Sequence, residues 1–151
     1  MTNANVTWVE DMMFVAQGDS GHAIVMDAGE SAGGHDLGSR PMEVLLMGLL
    51  GCTSMDVISI LKKKRQPVEG LKVFATGKRN PENPMYFTHI HLEYVAYGKV
   101  DEQALARAVE LSETKYCGAS ASLKGVAKIT TSIRIEPGPV AAAAEKSATA
   151  A

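Results

Sequence analysis

The stretch that most constrains the fold of this chain is residues 41–65, PMEVLLMGLLGCTSMDVISILKKKR. Residues 44–50 carry no polar side chain, and Glu43, Thr53, Ser54, Asp56 and Ser59 are the only polar residues before the basic end. Apolar residues on every face predict a helix that lies inside a protein. Its ends carry helix-end signals. Ser39 is a cap residue, Pro41 suits the first turn, and Glu43 suits the positive end of the helix dipole. Lys62, Lys63, Lys64 and Arg65 suit the negative end, and Pro67 blocks continuation. At about 1.5 Å per residue the segment spans roughly 36 Å. Gly48 and Gly51 predict close approach of another element. A membrane span needs about 20 mostly apolar residues, and Asp56 would lie in hydrocarbon. The expectation is therefore a buried core helix, with no membrane partner.

At 151 residues the chain suits one domain with a real core. Residues 1–136 are expected to form that domain. Residues 137–151 are Pro-, Gly- and Ala-rich, lack core formers, and are expected to be a flexible tail. A net charge of −2 gives no basic field for nucleic acid. The N-terminal residues lack the basic and apolar regions of a signal peptide, so the cytoplasm is the expected location. Two cysteines in such a protein are buried small hydrophobes or redox-active thiols rather than a disulfide scaffold.

Strands are predicted at residues 6–10, 13–16 and 22–27, with a Gly-Asp turn at 17–21. A Gly-rich stretch at 28–39 is either a mobile lid or a connector. After the long helix, residues 71–78 and 86–97 predict a hairpin. In the second strand Thr88, Ile90, Leu92 and Tyr94 face one way and His89, His91 and Glu93 the other. Asp101 caps a predicted helix at 102–116 with Leu105, Ala108, Val109 and Ser112 on its inner stripe. A short helix at 119–124 and a strand at 126–135 follow. The order predicts an α+β fold with a long buried helix between two antiparallel strand groups. One chain this size hardly covers such a helix, so a homodimer is expected.

A thiol is nucleophilic only as thiolate. Cys52 lies mid-helix, and Asp56, four residues on, shares its face and disfavours the thiolate. An activating cation must come from elsewhere, with His22, Arg40 or a lysine as candidates. Glu43, nine residues before Cys52, falls near the opposite face of the helix. Cys117 precedes a short helix whose free N–H groups favour a thiolate. His89 and His91, with Glu93 beyond, have the spacing of zinc ligands, but two strand histidines are not a site, and no metal or cofactor is expected.

The segments PMEVLLMGLLGCTSMDV and LSETKYCGASASLKG, and the order of elements between them, resemble the OsmC/Ohr family of osmotically inducible and organic-hydroperoxide-resistance proteins. The likeness covers about residues 5–136 and is closest to the branch described as OsmC-like or predicted redox proteins. It implies an intertwined homodimer and a thiol-dependent peroxidase that protects against oxidative stress. Cys52 would be peroxidatic and Cys117 resolving, the substrate an organic or lipid hydroperoxide, and the reductant a dithiol. Glu43 would match the family's activating Glu. The activating Arg of the first hairpin is missing, since no Arg precedes Arg40; His22 or Arg40 would have to substitute. Met47 and Met55 would wall an apolar pocket suited to an organic peroxide. The missing Arg also leaves room for a non-catalytic dimer that binds small molecules.

Overall fold

A computed structural model describes residues 1–139, so most of the expected tail lies outside the described residues. The described residues divide into two compact units, Met1–Met47 and the residues from Gly48 onward.

The first unit opens with an antiparallel meander of β1 (Ala4–Glu10), β2 (Met13–Gly18) and β3 (Ala23–Met26). The predicted turn closes through the Gly21 N–H, which donates to the Gly18 carbonyl at 3.0 Å. The apolar residues of this sheet stay open, with Val6 56 % and Trp8 63 % exposed. Asp27 fixes the Gly-rich stretch that follows. Its buried carboxylate accepts from the N–H groups of Ala28, His35 and Leu37 at 2.7, 3.0 and 3.1 Å. The Leu37 N–H contributes most to holding this carboxyl below its usual range. A Cβ on Gly34 would fall 2.1 Å from the Ala28 carbonyl oxygen, so the loop needs glycine there. These bonds describe a fixed connector.

Helix α1 (Pro41–Lys63) starts one residue later than the cap signal suggested. The Ser39 carbonyl is engaged by the Asp27 N–H at 3.2 Å, which ties Ser39 to the end of β3. Arg40 takes the cap position instead. Its carbonyl accepts from the N–H groups of Glu43 and Val44, and its own N–H donates to the Glu43 carboxylate at 2.9 Å. That return bond is half of a capping box.

In the second unit one stripe of α1 is buried, formed by Leu49, Thr53, Val57 and Leu61 at intervals of one turn. The flanks of this stripe, Cys52 and Asp56 among them, are partly buried, and the side opposite it is open. Met55 is 75 % exposed, and nothing lies within 4 Å of where a Cβ on Gly48 or Gly51 would stand. One chain thus leaves part of this helix open, in line with the expectation that a chain this size hardly covers it. β4 (Val68–Arg79) and β5 (Phe87–Gly98) form the predicted hairpin, antiparallel throughout. β6 (Lys128–Glu136) joins the other side of β5 in parallel, so this group is a mixed sheet rather than an antiparallel one. The cause is the connection. α2 (Glu102–Leu111) and α3 (Gly118–Leu123) form a helical crossover, which returns the chain in the direction it left. Ile90, Leu92 and Tyr94 point into the core as read from the alternation, with Leu105, Ala108 and Val109 of α2 buried alongside. Asp101 caps α2, accepting from the Ala104 N–H at 2.8 Å.

Candidate active site

The site forms where the buried stripe of α1 meets the end of α2. Cys52 and Asp56 are four residues apart, so α1 presents them on one face, as the spacing predicts. α2 does not run on as an α-helix to Tyr116. At Ser112–Tyr116 it widens into one turn of π-helix, and the Cys117 N–H reaches back five residues to the Ser112 carbonyl at 2.8 Å. Such turns recur at functional sites. Here it ends α2 so that Cys117 becomes the cap of α3, its Sγ accepting from the Ser120 N–H at 3.3 Å. The result is a cluster. Cys52 Sγ, Cys117 Sγ and a carboxylate oxygen of Asp56 all lie within 4.8 Å of one another. Both thiols are free; Cys52 is half-buried, and Cys117 is 3 % exposed.

A chain of hydroxyl groups stands behind Asp56. Tyr94 Oη lies 2.6 Å from Thr53 Oγ1, Thr53 Oγ1 lies 2.9 Å from Ser112 Oγ, and Ser112 Oγ donates to Asp56 Oδ2 at 2.9 Å. Tyr94, Thr53 and Ser112 are fully buried. Each hydroxyl has one proton to give. An ionised carboxylate only accepts, so Ser112 spends its proton on Asp56 and must accept from Thr53, which in turn accepts from Tyr94. All three donors therefore point toward the carboxylate. Burial pushes the Tyr94 phenol up, which keeps it a donor. Sequence reasoning placed Ser112 on the inner stripe of α2 but missed the network. The available signal was a hydroxyl at a stripe position otherwise held by Leu, Ala and Val, because a buried hydroxyl needs a partner.

Burial raises the Cys117 thiol, with Cys52 adding in the same direction, despite the bonds from Ser120 that lower it. The expected thiolate-favouring effect of the α3 terminus is present but outweighed. Among the described residues, no Lys, Arg or His forms an ion pair with Asp56. A cavity of about 350 Å³ adjoins it, lined by Asp56, Ile60, Lys63, Lys64, Leu111 and Tyr116. This brings two lysines of the basic helix end to the wall that Asp56 shares.

The structure gathers Cys52 and Cys117 within the second unit. Met55 is on the exposed side of α1. His22, Arg40, Glu43 and Met47 belong to the first unit. There Arg40 pairs with Asp36 and donates to the Gly38 carbonyl at 3.1 Å, and His22 follows the β2–β3 turn. His91 is engaged by Thr130 and Ser132, both at 2.9 Å, and Glu93 by Arg134 at 3.3 Å. His91 thus has its hydroxyl partners on β6 and His89 has one beside it on β5, Thr88 at 3.2 Å, and both stand on the exposed face of the sheet.

A family model described as OsmC-like protein matches residues 33–132, a span that holds both cysteines and every member of the hydroxyl chain. The chain belongs to the OsmC-like family. Protein YhfA of Escherichia coli K12 is 41 % identical over 133 residues, covering 87 % of this chain and 96 % of YhfA. Among solved structures, a hypothetical protein from Aquifex aeolicus VF5 is 34 % identical with a TM-score of 0.81, covering 91 % of this OsmC-like chain and 98 % of its own. An organic hydroperoxide resistance protein OsmC from Legionella pneumophila, also named a predicted redox protein, has a TM-score of 0.68 at 12 % identity. It covers 89 % of this chain and 96 % of its own, and at that identity it shares the fold alone.

Proposed function

We propose that this OsmC-like chain is a thiol-dependent peroxidase that reduces organic hydroperoxides in oxidative stress protection. The supporting observation is the pair of free thiols, far apart in sequence, whose sulfurs lie within 4.8 Å. Cys52, the less buried of the two, attacks the peroxide as thiolate. Its sulfur takes the terminal oxygen, the O–O bond breaks, and the alcohol leaves with a proton. Cys117 then attacks the sulfenic acid, forms the disulfide and expels water. A dithiol reductant restores both thiols and is itself oxidised to a disulfide. The Ile60, Leu111 and Tyr116 walls of the adjoining cavity suit an organic group better than a small polar peroxide. The cytoplasm, which keeps thiols reduced, fits this cycle.

We also propose that the working form is a homodimer, with residues 1–136 of each chain as one OsmC-like domain. The exposed apolar residues of β1 and β3 and the open side of α1 support it, since monomeric soluble proteins rarely expose large apolar patches. The test of the activity is consumption of cumene hydroperoxide with a dithiol reductant. It should proceed with the wild type and stop in Cys52→Ser, with hydrogen peroxide a poorer substrate. Equal rates for wild type and Cys52→Ser would overturn the reading. One observation favours a second reading, a non-catalytic dimer that binds small molecules: no Arg precedes Arg40, so the first strand meander carries no Arg to activate a thiolate. On that reading an organic ligand binds equally well to Cys52→Ser and no peroxide is consumed.

A further inference from the structure

We infer that the reduced Cys52–Asp56–Cys117 cluster is a binding site for one thiophilic divalent cation, with zinc the physiological candidate. The donor set is two sulfurs and one carboxylate oxygen, all within 4.8 Å of one another. Tetrahedral zinc, with bonds of about 2.3 Å to sulfur and about 2.0–2.2 Å to oxygen, needs donor separations of roughly 3.4–3.8 Å. Closing the cluster by at most about 1.4 Å brings it to that geometry. Three protein ligands leave one position for water, which the half-buried side of Cys52 can admit. This is the open coordination of an exchangeable site rather than a closed structural one.

The surroundings are built as those of a metal site are. Ser112 holds Asp56 by Oδ2, and Ser112 is itself fixed by the Thr53–Tyr94 chain. Cys117 Sγ is held by the Ser120 N–H. Outer bonds of this kind orient ligands and strengthen affinity by about 10–100-fold. Three groups that are anionic when ionised thus converge where Asp56 has no ion-pair partner among the described residues, and a divalent cation would supply positive charge. Lys63 and Lys64 face the same cavity and oppose a hard cation, so selectivity falls to the sulfurs. That favours zinc or cadmium over magnesium or calcium. Coordination and peroxide chemistry use the same sulfurs, and formation of the disulfide removes both ligands.

The test is anaerobic titration of the fully reduced full-length chain with cobalt(II), followed by zinc in competition with a chromophoric indicator. The expected result is one metal per chain, with a thiolate-to-cobalt charge-transfer band that zinc displaces. Cys52→Ser and Cys117→Ser should each weaken zinc by 100-fold or more, Asp56→Asn by at least 10-fold, and Ser112→Ala by about 10-fold or more. The double variant His89→Ala/His91→Ala should bind as the wild type does. Far-UV circular dichroism of each variant separates a lost site from a lost fold. A missing band, equal zinc affinity in Cys52→Ser, or loss of binding in the histidine variant would overturn the inference. Peroxide turnover, measured separately with a chelator present, reads the peroxidase proposal alone, so either can fail without the other.

Discussion

The hydroxyl chain behind Asp56 gives a sharp test, because its direction fixes what each deletion should cost. Ser112 is the middle link: it accepts from Thr53 and donates to a carboxylate. Ser112→Ala removes a hydrogen bond to a charged group and leaves a buried Thr53 donor without a partner. The first loss is worth about 1.5–3 kcal/mol and the second about 1–3 kcal/mol, and partial relaxation brings the sum to about 3 kcal/mol. Tyr94 is the end link, giving one bond to Thr53. Tyr94→Phe removes that neutral bond and leaves only an acceptor unfilled, for about 1 kcal/mol. For a chain of 151 residues, each kcal/mol moves the melting temperature by about 2–4 °C. The serine variant should therefore melt about 6–12 °C below the wild type and the tyrosine variant about 2–4 °C below it. Thermal and urea unfolding at one fixed protein concentration would measure both, since a dimer makes stability concentration-dependent. A Tyr94→Phe cost equal to or above that of Ser112→Ala would refute the directed chain.

Three further outcomes follow from the same geometry. In the native reduced protein a thiol reagent at pH 8 should label Cys52 first. Cys117, 3 % exposed and with its thiol pushed up by burial, should lag far behind; comparable rates read by peptide mass would contradict the site. Gly77→Ala would place a Cβ 2.4 Å from the ring of buried Phe87, so an overpacking loss of about 1–3 kcal/mol is expected in urea unfolding. Asp27 carries a lowered carboxyl, so its contribution is full above the unfolded value of about 3.9 and fades as pH falls through the lower folded value. Asp27→Asn should accordingly be less stable than wild type near pH 6, with the gap narrowing below about pH 3.9, and a pH-independent gap would refute the assignment.

The elements were legible because their signals are local. Alternation in β5, the Asp101 cap and the stripe of α2 each involve residues a few positions apart, and all are found as read. What escaped involves partners distant in the chain. Nothing near Ser112 announces that it will meet Asp56 and Thr53, some 56 and 59 positions earlier. The direction of β6 depends on the crossover that precedes it, and its own residues serve a parallel or an antiparallel partner equally well. The π turn has no composition signature in Ser112–Tyr116, whose residues extend an α-helix plausibly. The cap shifted from Ser39 to Arg40 because β3 claimed the serine's backbone. The long helix was legible as one that a single chain hardly covers, because hydropathy reports that a surface needs cover without saying which molecule provides it. The two cysteines were singled out from the sequence and lie close together, but spacing alone could not show that Asp56 would accompany both.

The central claim is that Cys52 and Cys117 act as one redox pair. Its most direct test is a single-turnover reaction of the fully reduced protein with one equivalent of cumene hydroperoxide, followed by intact mass. Rapid loss of two hydrogens per chain is expected. Cys117→Ser should stop at one added oxygen, and Cys52→Ser should show neither change. Oxidation no faster than that of a free small thiol, or an unchanged rate in Cys52→Ser, would contradict it.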